Sequence, residues 1–184
     1  IAAALFSGCA ITGSGDVITE QKDFTDFTYV DVGSVFEVEI TRSDSFSVII
    51  SVDESLLDYV DVSKAGGTLR ISLQPHQVFT DFTLKAKTLK AEITIPALYG
   101  LNLSGASKGI ITGFESSEDF KLNVSGASSL EISDIKVGNA EFEVSGASRV
   151  SGNMTADDTK FEVLGTSSIE LSGSAGSIIL EVSG

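Results

Sequence analysis

LNLSGAS at 101–107, LNVSGAS at 122–128, FEVSGAS at 142–148, FEVLGTS at 161–167 and LEVSG at 180–184 are five versions of one phrase. Their glycines, Gly105, Gly126, Gly146, Gly165 and Gly184, are spaced 21, 20, 19 and 19 residues apart. So regular a recurrence marks a repeat architecture. Within each copy the apolar residues alternate: Phe142, Val144, Ala147 and Val150 read as inward, Glu143 and Ser145 as outward. A second apolar patch follows each glycine, as in Leu130 and Ile132 or Ile169 and Leu171, with short polar runs before the next copy. No helical period of useful length interrupts this, and prolines occur only at 75 and 96. Each unit is therefore two or three short strands joined by tight turns.

Twenty residues cannot bury their own apolar face, so units must stack on one another. Parallel stacking in register gives a β-solenoid, with units separated by the strand spacing of about 4.8 Å. Whole-unit similarity favours this over an antiparallel meander of short hairpins. The glycine suits a corner at positive φ, the alanine after it a narrow interior, and the flanking serines hydrogen bonds to neighbouring turns. Before residue 98 the chain is also β-rich but irregular. Strands are read at 30–32, 35–40, 46–52 and 68–73, and a strand pair at 83–95. One helical turn is read at 53–59, with Asp53 as its cap and Leu56, Leu57 and Val60 buried. Ala65-Gly66-Gly67 reads as a turn.

The chain opens on Ile1 and its only methionine is Met154, so a longer natural chain is expected. IAAALFSGCA at 1–10 reads as the end of a secretory signal, and Leu5 to Cys9 resembles a bacterial lipobox, with Phe6 where that pattern usually has Leu. Cleavage before Cys9 and its lipidation are expected. A lone cysteine forms no internal disulfide. The expected organisation is a signal remnant at 1–9, a tether at 10–15 and one β-solenoid domain at 16–184, irregular to 97 and regular from 98. The last copy stops in mid-unit, so further residues are expected there too.

Composition narrows function by exclusion. The chain has 26 acidic and 12 basic residues, a formal charge of −14. Phosphate contacts need a basic stripe, so nucleic acid is excluded as a partner. One His and one Cys leave no zinc site. There is no G-x-S-x-G motif, Gly13-Ser-Gly15 lacks the lysine of a phosphate loop, and His76 has no identifiable catalytic partner. No catalytic residue and no cofactor is assigned. In register, the residue three before each corner glycine forms an outward ladder of Asn102, Asn123, Glu143, Glu162 and Glu181. Their oxygens are hard ligands, so Glu143, Glu162 and Glu181 are a candidate weak Ca²⁺ site. The competing reading, which the sequence favours, is a solvated face that resists aggregation.

GSGDVITE at 13–20, FTYVDV at 27–32 and the repeats from Leu98 resemble the putative auto-transporter adhesin, head GIN domain family, over residues 12–184. The resemblance implies a right-handed parallel β-helix in bacterial envelope proteins, often lipoproteins. It brings no catalytic residues. The expected function is a non-enzymatic, lipid-anchored envelope module binding glycan or surface polymer in an adhesin-like way. A scaffold for an envelope protein partner is the alternative. A polysaccharide lyase or glycosidase is the weaker third, because paired carboxylates facing Arg or Lys in a cleft are not evident. The expected location is outside the cytoplasm.

Overall fold

The computed structural model describes residues 16–74 and 88–184. Cys9, the signal and lipobox, Gly13-Ser-Gly15, His76, Lys85, Lys87 and the first part of the strand pair at 83–95 lie outside the described residues. The described residues form sixteen strands. They are β1 (Val17–Lys22), β2 (Tyr29–Val32), β3 (Glu37–Arg42), β4 (Ser47–Asp53), β5 (Val60–Ala65), β6 (Thr68–Leu73), β7 (Leu89–Ile95) and β8 (Gly100–Leu103). Then come β9 (Lys108–Thr112), β10 (Phe120–Val124), β11 (Ser129–Val137), β12 (Ala140–Val144), β13 (Arg149–Ala156), β14 (Asp158–Leu164), β15 (Ser168–Ser174) and β16 (Ser177–Ser183). A 3-10 turn at Glu54–Tyr59 starts where the sequence places it: Asp53 accepts a hydrogen bond from the Ser55 N–H at 3.1 Å, and Leu56 is buried. Leu57 and Val60 are only half-buried.

The expectation of a single right-handed parallel β-helix is corrected. The strands form two mixed eight-stranded sheets, ordered β1-β4-β7-β3-β9-β11-β13-β15 and β16-β14-β12-β10-β8-β2-β6-β5. From β8 onward, each repeat gives one strand to the second sheet and the next to the first. Equivalent residues of successive copies pair in parallel, for example Leu122 with Phe142 and Phe142 with Phe161. β2 and β3 still pair in parallel on both sides, but β1, β4 and β5 do not. β1 pairs antiparallel with β4, β4 with β7, and β5 with β6. Spatial order also departs from chain order, because β2 sits between β6 and β8, and β3 between β7 and β9. Ala65 to Thr68 closes a tight hairpin through Gly66 at positive φ, and that hairpin geometry makes β5 antiparallel.

Both sheets turn alternate residues into one apolar core, which includes Phe27, Val32, Ile40, Leu103, Leu122 and Phe142. Phe142 is fully buried, its ring 6.4 Å from Phe120 and 5.1 Å from Phe161. Ala147 does not point inward as the sequence reading expects. It is exposed, as are Ala106 and Ala127, and the next residues, Ser107, Ser128 and Ser148, are buried instead. The alternation set by Phe142 and Val144 keeps its phase across the corner, so Ser148 and Val150 face inward and Ala147, out of step with them, faces out. The buried hydroxyls are satisfied, Ser107 donating to the Ser104 carbonyl and Ser128 to that of Ser125, each at 2.9 Å. They also accept across the stack: the Ser107 N–H donates to Ser128 Oγ, and the Ser128 N–H to Ser148 Oγ, each at 3.3 Å.

The corner glycines explain the repeat. Gly105, Gly126, Gly146 and Gly165 have φ of 80, 80, 79 and 73°. The Ala127 N–H donates to the Gly105 carbonyl and the Ala147 N–H to the Gly126 carbonyl, each at 2.8 Å. A Cβ on Gly126 would run into that Gly105 oxygen, and one on Gly146 into the Gly126 oxygen. Gly126→Ala is therefore expected to lower stability in urea unfolding by at least the 1–3 kcal/mol of about one strained residue, with the clash in addition. Gly67→Ala, where a Cβ meets nothing within 4 Å, is expected to be near neutral.

Candidate binding face on the second sheet

The outward residues of the second sheet fall into two rows. One runs Arg70, Asp31, Asn102, Asn123, Glu143, Glu162 and Glu181, each paired in register with the next. The other runs Tyr29, Gly100, Lys121, Glu141, Lys160 and Ile179. The expected ladder of Asn102, Asn123, Glu143, Glu162 and Glu181 thus exists, and the structure adds Asp31 to its start. Asn102 Nδ2 donates to Asp31 Oδ1 at 2.7 Å, and Arg70 Nε lies 3.6 Å from Asp31 Oδ2.

The register does not gather the candidate calcium ligands into a metal cluster. Among the described residues no group of three or more His, Cys, Asp or Glu side chains is placed to hold a metal ion. Instead Lys160 Nζ stands 3.9 Å from Glu181. The strand spacing keeps successive carboxylates apart, and the neighbouring row supplies the counter-charge.

The second row borders a groove of about 480 Å³, lined among others by Tyr29, Tyr99, Lys121, Glu141 and Lys160. A shallower hollow of about 220 Å³ shares Tyr29 and Lys121 with it and reaches Asn102 and Asn123. Tyr29 is 44% exposed, and its position depends on a glycine. A Cβ on Gly100 would stand 2.7 and 2.8 Å from Cδ1 and Cε1 of the ring. Only glycine leaves room for the ring to settle over the β8 backbone. The sequence reading names no aromatic residue as a binding candidate and misses this one. Its signal was the alternation in Tyr29-Val-Asp-Val32, which puts Val30 and Val32 inward and leaves Tyr29 and Asp31 outward.

Charges within the groove are engaged with one another. Lys121 Nζ donates to Glu141 Oε2 at 2.9 Å. That hydrogen bond, reinforced by charge attraction, raises the lysine above its ordinary pKa and holds the Glu141 carboxyl below the usual glutamate range. Asp119 Oδ1 accepts from Asn139 Nδ2 at 2.9 Å, and Asp158 Oδ1 from the Ser177 hydroxyl at 2.7 Å. Lys108 and Arg149, the basic residues at the corners, lie in the other sheet. They stand 3.7 Å from Glu37 and 3.9 Å from Glu170.

With this geometry established, comparison with known proteins is informative. The family model described as "Putative auto-transporter adhesin, head GIN domain" matches residues 26–184. The chain belongs to this family. No curated protein matches the head GIN chain. Solved structures do. A putative lipid binding protein from Parabacteroides distasonis superposes with a TM-score of 0.60 at 18% identity, covering 95% of this chain and 98% of that one. A putative adhesin from Bacteroides fragilis gives 0.60 at 18% identity, covering 95% and 97%. Another from Parabacteroides merdae gives 0.51 at 16%, covering 95% and 98%. At such identities the likeness establishes a shared fold. Among the described residues of the head GIN chain, no helix is long and apolar enough to cross a membrane.

Two outcomes follow for this face. A depressed glutamate contributes stability that is present above its unfolded pKa and is lost as pH falls through the lower, folded value. In a carboxyl NMR titration Glu141 is therefore expected to protonate below the ordinary glutamate range, and to return to it in Lys121→Met. Calcium is expected to leave the thermal midpoint unchanged, both in the natural sequence and in Glu143→Gln with Glu162→Gln.

Proposed function

We propose that this head GIN chain is a non-enzymatic, adhesin-like module of the bacterial envelope that binds glycan or a related surface polymer. Lipidation at Cys9 would hold it to a membrane, with the folded part outside the cytoplasm. The observation that carries the binding role is the groove with Tyr29 at its edge. An exposed aromatic ring beside convergent amides and carboxylates is what a sugar site requires, one apolar surface with a few placed polar groups. The open shape suits a polymer that crosses the strands.

The state of the carboxylates supports binding without turnover. Glycosidic cleavage calls for a general acid whose pKa is raised towards neutrality. Glu141 is pushed the opposite way by Lys121, while Asp119 and Asp158 are each tied into a neighbour's hydrogen bond.

The test is a panel of envelope polysaccharides and glycans presented to the purified chain, with release of reducing ends and unsaturated products read in the same wells. Saturable binding without product is the expected result. Product release would remove the non-enzymatic reading. Absence of any binding would favour a protein partner, to be sought by crosslinking.

A further inference from the structure

Building on the glycan-binding reading, we propose that the groove takes an internal stretch of an uncharged polysaccharide, with one sugar stacked on Tyr29 over Gly100 and neighbouring hydroxyls read by the Asp31, Asn102 and Asn123 row.

Charge comes first. Both lysines of the groove are already engaged, Lys121 with Glu141 at 2.9 Å and Lys160 with Glu181 at 3.9 Å. Arg70, beside the shallower hollow, stands 3.6 Å from Asp31. A polyanion would have to displace these carboxylates and approach a chain of formal charge −14. The groove's acids are engaged as well, Glu141 by Lys121, Asp119 by Asn139 and Asp158 by Ser177. Asn139 and Ser177 are neutral and leave Asp119 and Asp158 charged, but a polycation would have to displace Lys121 from Glu141 and crowd against Lys160 as well. A neutral polymer disturbs none of these pairs.

The seat is specific. The Tyr29 ring occupies space that a side chain on residue 100 would take, so ring and β8 backbone lie together as one apolar step. Beside it, Asp31 and Asn102 are locked to each other at 2.7 Å, which fixes the planes of both groups. Among the described residues none bonds the Asn123 side-chain amide, which lines the same hollow with a donor and an acceptor to offer. A planar amide presenting both to adjacent hydroxyls discriminates by geometry rather than by charge.

Shape follows from the two hollows sharing Tyr29 and Lys121. They continue one another across the strands, and neither encloses a chain end. The ligand is thus met along its length.

Affinity electrophoresis of the full chain decides the matter, using gels that contain a neutral glucan or mannan, a polyuronate, or chitosan, each at low and high salt. Retardation by a neutral polymer, unaffected by salt, is expected. Tyr29→Ala should weaken it about tenfold, equivalent to about 1.4 kcal/mol, and Asn123→Ala to a lesser degree. Gly100→Ala keeps the ring but displaces it, and should weaken binding as Tyr29→Ala does. Should that variant fail to fold, the exposed Tyr29→Ala carries the test. Neutral retardation indifferent to Tyr29→Ala would overturn the assigned seat. Retention by polyuronate or chitosan alone, lost in high salt, would overturn the neutral ligand class while leaving glycan binding standing. Retention by no polymer would overturn both.

Discussion

At each corner a glycine stands close against the carbonyl oxygen of the corner beside it, and the repeat part of the fold depends on that contact. That oxygen accepts the N–H of the residue after the next glycine, and the bond forms only if nothing projects from the glycine itself. The positive φ that carries the chain from one sheet to the other and the missing Cβ are therefore one requirement, met once per unit. From it follow the in-register pairing, the columns of equivalent side chains such as Leu122, Phe142 and Phe161, and the outward rows that form the binding face. A corner that slipped by one residue would exchange the inward and outward faces of the strands it joins.

Ser34 shows the limit of that requirement. It occupies the first corner of the stack with φ of 71°, the Ala106 N–H donates to its carbonyl at 2.7 Å, and it lies beside Gly105 as each later glycine lies beside the one before. Yet it has a side chain. On its far side stands the end of β6, whose Leu73 N–H donates to Ser34 Oγ at 3.1 Å. The Cβ is accommodated where the glycine stack stops, and the hydroxyl satisfies a backbone group that the irregular part of the chain presents there. Antiparallel pairing takes over beyond this point, β5 on β6 in one sheet and β4 on β7 in the other.

Much of this was legible in the sequence and some was not, for identifiable reasons. Alternation located β2, β4 and β6 within a residue or so, because a half-buried strand has no other way to dispose of Val, Ile and charged residues in turn. Asp53 announced its turn through capping chemistry, and the glycines announced the corners. What escaped were relations between distant segments. Nothing local to Val32-Gly33-Ser34 says that a serine stands in the glycine column, and nothing local to β2 says that it lies between β6 and β8. The buried serines after each alanine escaped because the inward place was given to the apolar alanine, out of step with Phe142, Val144 and Val150, rather than to the polar serine that stays in step. Tyr29 and Gly100 are each unremarkable alone. Their meaning as a site comes only from being neighbours in the sheet.

Because each unit contributes one rung to the outward rows while its inward residues join the common core, the binding face has a length counted in units. Each further rung adds about 4.8 Å of track without altering the chemistry of the rungs already present. A duplication within the repeat would thus act on reach, and a point change in an outward residue on preference. The two properties can vary independently.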